Sequence, residues 1–379
     1  MVAPKLRFQE FDGDWAKSKL GDEAQFFQGE QVSLDDQYSE YSSGLTKFLR
    51  IENFTQKSKD FRYIKYSGSP EKILTETDIA IVRYGATAGF ICSGETGVIA
   101  NNLFKASVDN TKINQKYLEL VLKSEKTFNY FQTAMSGGAM PALNFKIVGN
   151  LDITYSSILE QTKIASFLSA VDEKINQLTQ KHQLLSQYKQ GMMQKLFSQQ
   201  IRFKADDGSE FGEWEENQLL DLSTKKSSKV TAKDIEDNDG DYIVFGASGH
   251  FRNINSYTES ESYIAIVKDG AGAGRLFLMP EKSSVLGTLE IVKPNLNTQL
   301  NFLFYRMQLI DFSSYIKGST IPHVYFKDYS QEKIYLPCLE EQTKIANFLS
   351  AIDQKIEVVA QQIEQAKQWK KGLLQQMFV

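Results

Sequence analysis

Hydrophobic and polar positions keep a helical period over two long stretches, residues 161–197 and 342–378. In the first, one apolar row runs Ile164, Val171, Leu178, Leu185 and Met192; the other runs Leu168, Ile175, His182, Lys189 and Leu196. In the second the rows are Ile345, Ile352, Val359, Ala366 and Leu373, then Leu349, Ile356, Ile363, Lys370 and Met377. Alternating spacings of three and four, held over about five heptads without a proline, predict coiled-coil helices rather than strands. At about 1.5 Å rise per residue each helix is roughly 55 Å long. Two arrangements bury such a seam. The helices can pair with each other, antiparallel if the two halves of the chain exchange places by a pseudo-two-fold, or each can pack on its own globular half. The narrow stripe favours mutual pairing. Lys189 and Lys370 interrupt one row at equivalent places, so either the coil frays there or these lysines reach a third partner. His182, in the same row, reads as a packed histidine rather than a ligand.

The stretches are also copies. QTKIASFLSAVDEKI from Gln161 and QTKIANFLSAIDQKI from Gln342 agree at 12 of 15 positions with an offset of 181, the mark of a duplicated unit. The duplication includes an entrance: in KLRFQEFDGDWAKSKLGD from Lys5 and IRFKADDGSEFGEWEENQLLDL from Ile201, Arg7-Phe8 answers Arg202-Phe203 and Trp15 answers Trp214. The second entrance carries an insertion before its tryptophan.

Between entrance and helix, each half has a body of short β-branched and aromatic runs. YIKYS, AIVRYGATAGFIC and GVIANNLFKAS in the first, and YIVFGASGHF, SYIAIVKDGAGAGRLFLM and SVLGTLEIVKP in the second, predict strands. Residues 116–133 and 301–313 predict short helices. The fold class is therefore α+β, with two tandem, mostly-β bodies separated by two long helices that form an antiparallel coiled coil. The predicted segments are 1–155 for the first body, 156–199 for the first helical spacer, 200–336 for the second body and 337–379 for the second spacer. The bodies diverge while entrances and helices stay alike, which predicts the same kind of task on different targets.

Two landmarks survive that divergence. IVRYGATAG from Ile81 matches IVKDGAGAG from Ile266, a strand ending on a basic residue and then a glycine-rich turn. Such a turn can bring backbone N–H groups against a ligand, or it can be a tight turn between paired strands. Neither copy is a phosphate-binding GxxxxGK[ST] loop. The second landmark is GGAMPALNFK from Gly137 against GSTIPHVYFK from Gly318. It can hold a rigid loop against phosphates or base edges, or serve as a connector to the strand before the long helix.

Composition narrows the classes. No window approaches a membrane span and the N-terminus is not a signal peptide, so the expected location is cytoplasmic. Cys92 and Cys338 stand apart and the three histidines are scattered, so neither a zinc site nor another metal centre is expected. Net charge is −4; residues 1–155 carry 18 basic and 19 acidic side chains and residues 200–337 carry 15 and 20, so no body has the basic excess of a free-standing nucleic-acid binder.

The repeated EQTKIAxFLSAxDxKI, its KxGxxxxxF ending, the KLRFxEFxGxW entrance and two unlike bodies resemble the DNA-specificity subunit of type I restriction-modification systems over the whole chain. The resemblance implies two target-recognition domains that each read one half of a split double-stranded DNA site. The coil would fix the gap between the halves. Two methyltransferase (M) subunits would dock on the helices and restriction/translocase (R) subunits would join them. The subunit would be non-catalytic; S-adenosylmethionine, ATP and Mg would belong to the partners, with none bound here. In agreement, the chain has no Pro-Pro, hence no [DN]PP[YF] methyltransferase segment, and no Walker loop.

On that reading the two heads enter successive major grooves about 34 Å apart. Candidate DNA contacts in the first body are Arg83, Tyr84, Ser136, Asn144 and Lys146. In the second they are His250, Arg252, Asn253, Lys268, Arg275, Lys317, His323 and Lys327. Candidate coil and partner positions are Ile164, Leu168, Val171, Ile175, Leu178 and Leu185, with Ile345, Leu349, Ile352, Ile356, Val359 and Ile363. A coiled-coil scaffold whose two β-rich modules bind proteins is the main rival and suits the acidic bodies better. An enzyme using the glycine-rich turns for a nucleotide is a second.

Overall fold

Ile79–Val82 in the first half and Tyr263–Val267 in the second are buried at every position. Both faces of these strands are covered, because alternate side chains enter different cores: Ile79 and Ile81 one, Ala80 and Val82 another. Likewise Ile264 and Ile266 face one core, and Tyr263, Ala265 and Val267 the opposite one. A period of two along a strand requires this division. The computed structural model describes residues 4–135, 142–233, 235 and 240–378. The chain divides into two compact units, Met1–Gln177 with Ile363–Val379, and Leu178–Gln362.

The first unit contains β1 (Ala16–Lys19), β2 (Ala24–Gln28), β3 (Leu45–Leu49), β4 (Arg62–Lys65), β5 (Ile73–Leu74), β6 (Ile79–Val82), β7 (Ile91–Cys92), β8 (Gly97–Ile99), β9 (Leu103–Val108) and β10 (Asp152–Tyr155). Its helices are α1 (Leu20–Glu23), α2 (Ile51–Thr55), α3 (Gln115–Leu122), α4 (Glu125–Met135), α5 (Phe145–Gly149) and the start of α6 (Ile158–Phe197). Strand orders are β2-β9-β6-β7, β4-β3-β8-β5 and β1-β10.

The second unit contains the rest of α6, then β11 (Glu215–Gln218), β12 (Ser223–Ser227), β13 (Tyr242–Gly246), β14 (Gly249–Ile254), β15 (Tyr263–Val267), β16 (Leu276–Met279), β17 (Ser284–Val285), β18 (Leu289–Pro294) and β19 (Lys333–Leu336). Its helices are α7 (Leu219–Leu222), α8 (Leu300–Met307), α9 (Phe326–Tyr329) and most of α10 (Leu339–Met377). Among the described residues, the orders β12-β18-β15-β16 and β11-β19 repeat β2-β9-β6-β7 and β1-β10, and β14-β13-β17 repeats β4-β3-β8 without a counterpart of β5. As β3 runs antiparallel to β4 and parallel to β8, so β13 runs antiparallel to β14 and parallel to β17. One topology therefore carries two divergent sequences.

Several predicted runs resolve into two elements. The stretch 116–133 becomes α3 and α4, because Ser124 starts a new helix, its Oγ accepting from the Thr127 amide at 3.2 Å. Residues 145–149, which begin at the end of the second landmark, are helical: Asn144 caps α5 with its side chain accepting from the Ile147 amide at 2.8 Å.

Both arrangements open to the long helices occur together. In the first unit Ile164, Leu168 and Val171 of α6 join Leu373 and Met377 of α10 in one core that also holds Trp15 and Tyr117. In the second, Met193 and Leu196 of α6 join Ile345, Leu349 and Ile352 of α10, with Trp214 and Phe302. The start of each helix thus meets the end of the other, so the pairing is antiparallel, and each start is also seated on its own body. Leu178, Val359 and Ile363 are buried; Ile175, Leu185 and Ile356 are half-buried.

The lysines that interrupt the seam neither fray it nor reach outward. Lys370 Nζ lies 2.5 Å from Asp172 Oδ1, and Lys189 Nζ lies 2.6 Å from Asp353 Oδ1. Each lysine bonds the partner helix, so its charge is neutralised inside the coil. Tyr305 Oη also donates to Asp353 at 2.7 Å. Burial above all, with this carboxylate, outweighs the opposing hydrogen bond to Ser350, pushes the phenol upward and keeps it protonated.

Candidate nucleic-acid interface

The two landmarks of each body, more than fifty residues apart in sequence, form one surface. In the first unit Leu143 N donates to Arg83 O at 2.8 Å, and Tyr84 and Ala142 form an antiparallel bridge. In the second, Val324 N donates to Lys268 O at 2.9 Å, Gly270 N to Pro322 O at 2.9 Å, and Asp269 bridges His323.

The glycine-rich turns are built alike. Gly89 N bonds Val82 O at 2.9 Å and Ala88 N bonds Gly85 O at 2.9 Å; Gly274 N bonds Val267 O at 2.8 Å and Ala273 N bonds Gly270 O at 3.0 Å. Gly85, Gly89, Gly270 and Gly274 have φ of 86°, 89°, 96° and 90°, the left-handed region that disfavours a Cβ. At Gly274 a Cβ would also lie 2.5 Å from Phe312 Cβ. These hydrogen bonds are those of a tight turn between paired strands, and that turn holds Tyr84 and Asp269 at the surface.

In the first unit the guanidinium of Arg83 lies 4.7 Å from the Tyr84 ring centre and 5.9 Å from that of Phe145. Asn144 is occupied in capping α5, while Lys146 is exposed in that helix. Ser136, with residues 137–141 of the same landmark, lies outside the described residues.

In the second unit three segments meet. His250, Arg252 and Asn253 lie on β14, with His250 Nε2 and Asn253 Oδ1 2.8 Å apart. Arg275, at the end of the glycine turn, donates Nη1 to Ala247 O at 3.2 Å and so ties the turn to the β13–β14 hairpin. His323 Nδ1 is 2.8 Å from Asp269 Oδ1, and its ring stacks on Tyr325 with centres 6.1 Å apart. Lys317 Nζ is 2.7 Å from Asp328 Oδ2, and Lys327 Nζ stands 5.9 Å from the centre of the Tyr325 ring. Lys268 is half-buried at the root of the turn.

Sequence reasoning did not single out Phe145, Asp269, Tyr325 or Asp328. The two acids explain how a surface with this many cations arises in a body without basic excess: each orients a neighbouring cation or histidine. An acidic residue one position after a basic strand end, as in Lys268-Asp269, was the available signal. Among the described residues no three His, Cys, Asp or Glu side chains are grouped to hold a metal ion, and no helix is long and apolar enough to cross a membrane.

The model of the type I restriction modification DNA specificity domain matches twice, over residues 12–186 and 212–368, taking in both landmark surfaces and most of both long helices. The chain belongs to this family. Among its specificity-subunit relatives, that of the type I restriction enzyme MjaVIII of Methanocaldococcus jannaschii is 27% identical, over 95% of this chain and 91% of that protein. The MjaIX specificity subunit of the same organism is 21% identical, over 95% and 92%. The crystal structure of a type I restriction-modification S subunit from M. genitalium has the same fold: TM-score 0.68 at 17% identity, covering 100% of this chain and 99% of that one.

Proposed function

We propose that this chain is the non-catalytic DNA-reading subunit of a type I restriction-modification enzyme, working in the cytoplasm. Residues 1–155 and 200–336 act as target-recognition domains, each reading one half of a split double-stranded site. Segments 156–199 and 337–379 dock two methyltransferase (M) subunits, and restriction/translocase (R) subunits join that assembly. S-adenosylmethionine, ATP and Mg are held by those partners.

The observation that carries this reading is the landmark surface itself. One backbone device, a glycine turn bridged to a second loop, is built twice and furnished differently: Arg83, Tyr84 and Phe145 in one unit, Lys268, Asp269 and His323 in the other. Identical scaffolds with different polar tips are what reading two different sequences requires. Support for partner docking comes from the long helices, where Leu184, Tyr188, Val358 and Trp369 are 65%, 52%, 52% and 54% exposed. Apolar side chains in that number on charged helices suit a protein partner.

Deleting the gene is expected to abolish a split, asymmetric adenine-methylation motif in the methylome of the host. An unchanged methylome overturns the reading in favour of a protein-binding scaffold. Because the bodies lack basic excess, labelled duplex should bind the isolated chain weakly and the chain with its methyltransferase tightly; equal tight binding in both contradicts a partner-supplied phosphate clamp.

A further inference from the structure

Arg83 is fixed by its backbone. Its N donates to Asn102 O at 2.9 Å and its O accepts from Leu143 N at 2.8 Å. Its guanidinium has no such anchorage. Arg7, Arg50, Arg202 and Arg306 all donate to carboxylates or carbonyls, whereas Arg83 Nε and Nη1 are buried with no acceptor. The group rests on an aromatic shelf, Tyr84 and Phe145, which are themselves 41% and 38% exposed.

Stacking on rings holds a guanidinium plane but leaves every N–H unsatisfied. Donors shut off from both water and acceptors are unfavourable in the free chain. The state improves when the side chain leaves the shelf and a ligand with two acceptors in one plane meets one edge of the guanidinium, Nε with Nη2 or Nη1 with Nη2, the fork geometry of arginine. A guanine major-groove edge, with O6 and N7, has that geometry, and so does a phosphate. The shelf sits beside the glycine turn, at the surface formed by the two landmarks. Among the described residues the second unit has no equivalent. There the matching positions are Lys268, Asp269 and Phe326, and Phe326 is only 8% exposed.

We infer that Arg83 is the specificity-determining residue of the first unit and that it reads a guanine, leaving the Tyr84–Phe145 shelf to donate jointly to O6 and N7. This rests on the DNA-reading function proposed above. The half-site read by the first unit therefore contains an essential guanine at one position, and the second unit reads by different chemistry.

The test is run on the whole methylating complex in a host free of other modification, with the methylome as readout. Arg83→Ala is expected to relax one guanine position in one half of the split motif, by roughly five- to hundredfold in discrimination, and to leave the other half intact. Arg83→Lys keeps the charge without the fork and relaxes the same position. In binding, a duplex carrying 7-deazaguanine there, which lacks the N7 acceptor, weakens the wild-type complex but not the Arg83→Ala complex. An unchanged motif overturns the inference. So does uniformly reduced methylation of an unchanged motif that Arg83→Lys restores, since that identifies a phosphate contact. If both variants lose all methylation, the wild-type complex decides: insensitivity to 7-deazaguanine at every guanine of both half-sites also overturns it. A motif that disappears on gene deletion yet persists in Arg83→Ala removes only this role of Arg83; a methylome indifferent to deletion removes the DNA-reading function.

Discussion

Arg7 grips Glu160 with both arms of its guanidinium, Nε to Oε1 at 2.7 Å and Nη2 to Oε2 at 2.8 Å. Arg202 repeats the grip on Glu341 at 3.1 and 2.8 Å. Both glutamates, 1% and 0% exposed, sit in the first turn of a long helix, and both arginines belong to an entrance. The duplicated Arg-Phe and Glu-Gln pairs are thus one device, a bidentate clamp that fixes each entrance to the start of its helix. The neighbouring glutamines complete it. Gln161 Oε1 accepts from Asn114 N at 2.8 Å, and Gln342 Oε1 accepts from Gln299 N at 2.8 Å, each joining the helix start to the residue that caps α3 or α8.

The two clamps differ in one side-chain donor to the glutamate, which makes their loss unequal. Trp214 Nε1 also donates to Glu341 at 3.0 Å, while Trp15 Nε1 is buried without a partner. Arg7→Ala therefore leaves Glu160 without a side-chain donor, and is expected to destabilise by about 3 kcal/mol or more. Arg202→Ala also frees the Gly212 carbonyl, which Arg202 Nη2 reaches at 2.7 Å, but that bond is exposed and the indole still meets the buried Glu341, so the change should cost less. Urea denaturation of both variants followed by tryptophan fluorescence checks the order.

The coil pairs should be interchangeable in sign. Lys370 and Asp172 are 24% and 45% exposed in their side chains, so the pair contributes about 0.2–1 kcal/mol. Lys370→Asp or Asp172→Lys alone should lower the urea midpoint, and the double exchange should recover most of the loss. A double variant no better than the sum of the singles would mean that the bond does not stabilise the coil.

Acid should weaken the first unit through two carboxylates. Burial raises Glu119, but hydrogen bonds from Lys123 and Ser93 outweigh it and hold the group below its ordinary 4.5; burial likewise raises Asp78, and Lys105 and Thr75 outweigh it below 3.8. A depressed folded-state value means stability that is present above the unfolded value and lost as pH falls through the folded one. Stability should therefore decline below about pH 4.5, and Glu119→Gln should flatten that decline while lowering stability at pH 7. Urea midpoints between pH 3 and 7 measure both.

His323 and Lys327 should separate base reading from phosphate contact in the second unit. Asp269 fixes the His323 ring through Nδ1, leaving Nε2 as the directed group. With the methyltransferase present, His323→Ala should relax one motif position by about 1–3 kcal/mol, and Asp269→Asn should do so more weakly. Lys327→Ala should weaken cognate and scrambled duplexes equally and reduce the salt slope by about one. Fluorescence anisotropy over a salt series distinguishes these outcomes; equal losses on both duplexes for His323→Ala exclude it as a reader.

The sequence by itself determined the duplicated plan, the two helices to within a few residues at Ile158–Phe197 and Leu339–Met377, the buried strands around Ile79 and Tyr263, and the family. These are local or repeated properties: a heptad, an apolar run and a 12-in-15 match are each visible in the one-dimensional order of residues. The edge strand β12 was not legible, since STKKS is exposed at four of five positions and has no apolar alternation to betray it. Tertiary structure alone decided that Lys189 and Lys370 find Asp353 and Asp172, that Tyr84 meets Ala142 and Asp269 meets His323, and that Arg83 lies on rings with Nε and Nη1 unmet. Those facts depend on pairing segments that are distant in the chain, and which side chains then share a surface is set by sheet register and helix direction, neither of which a local pattern specifies.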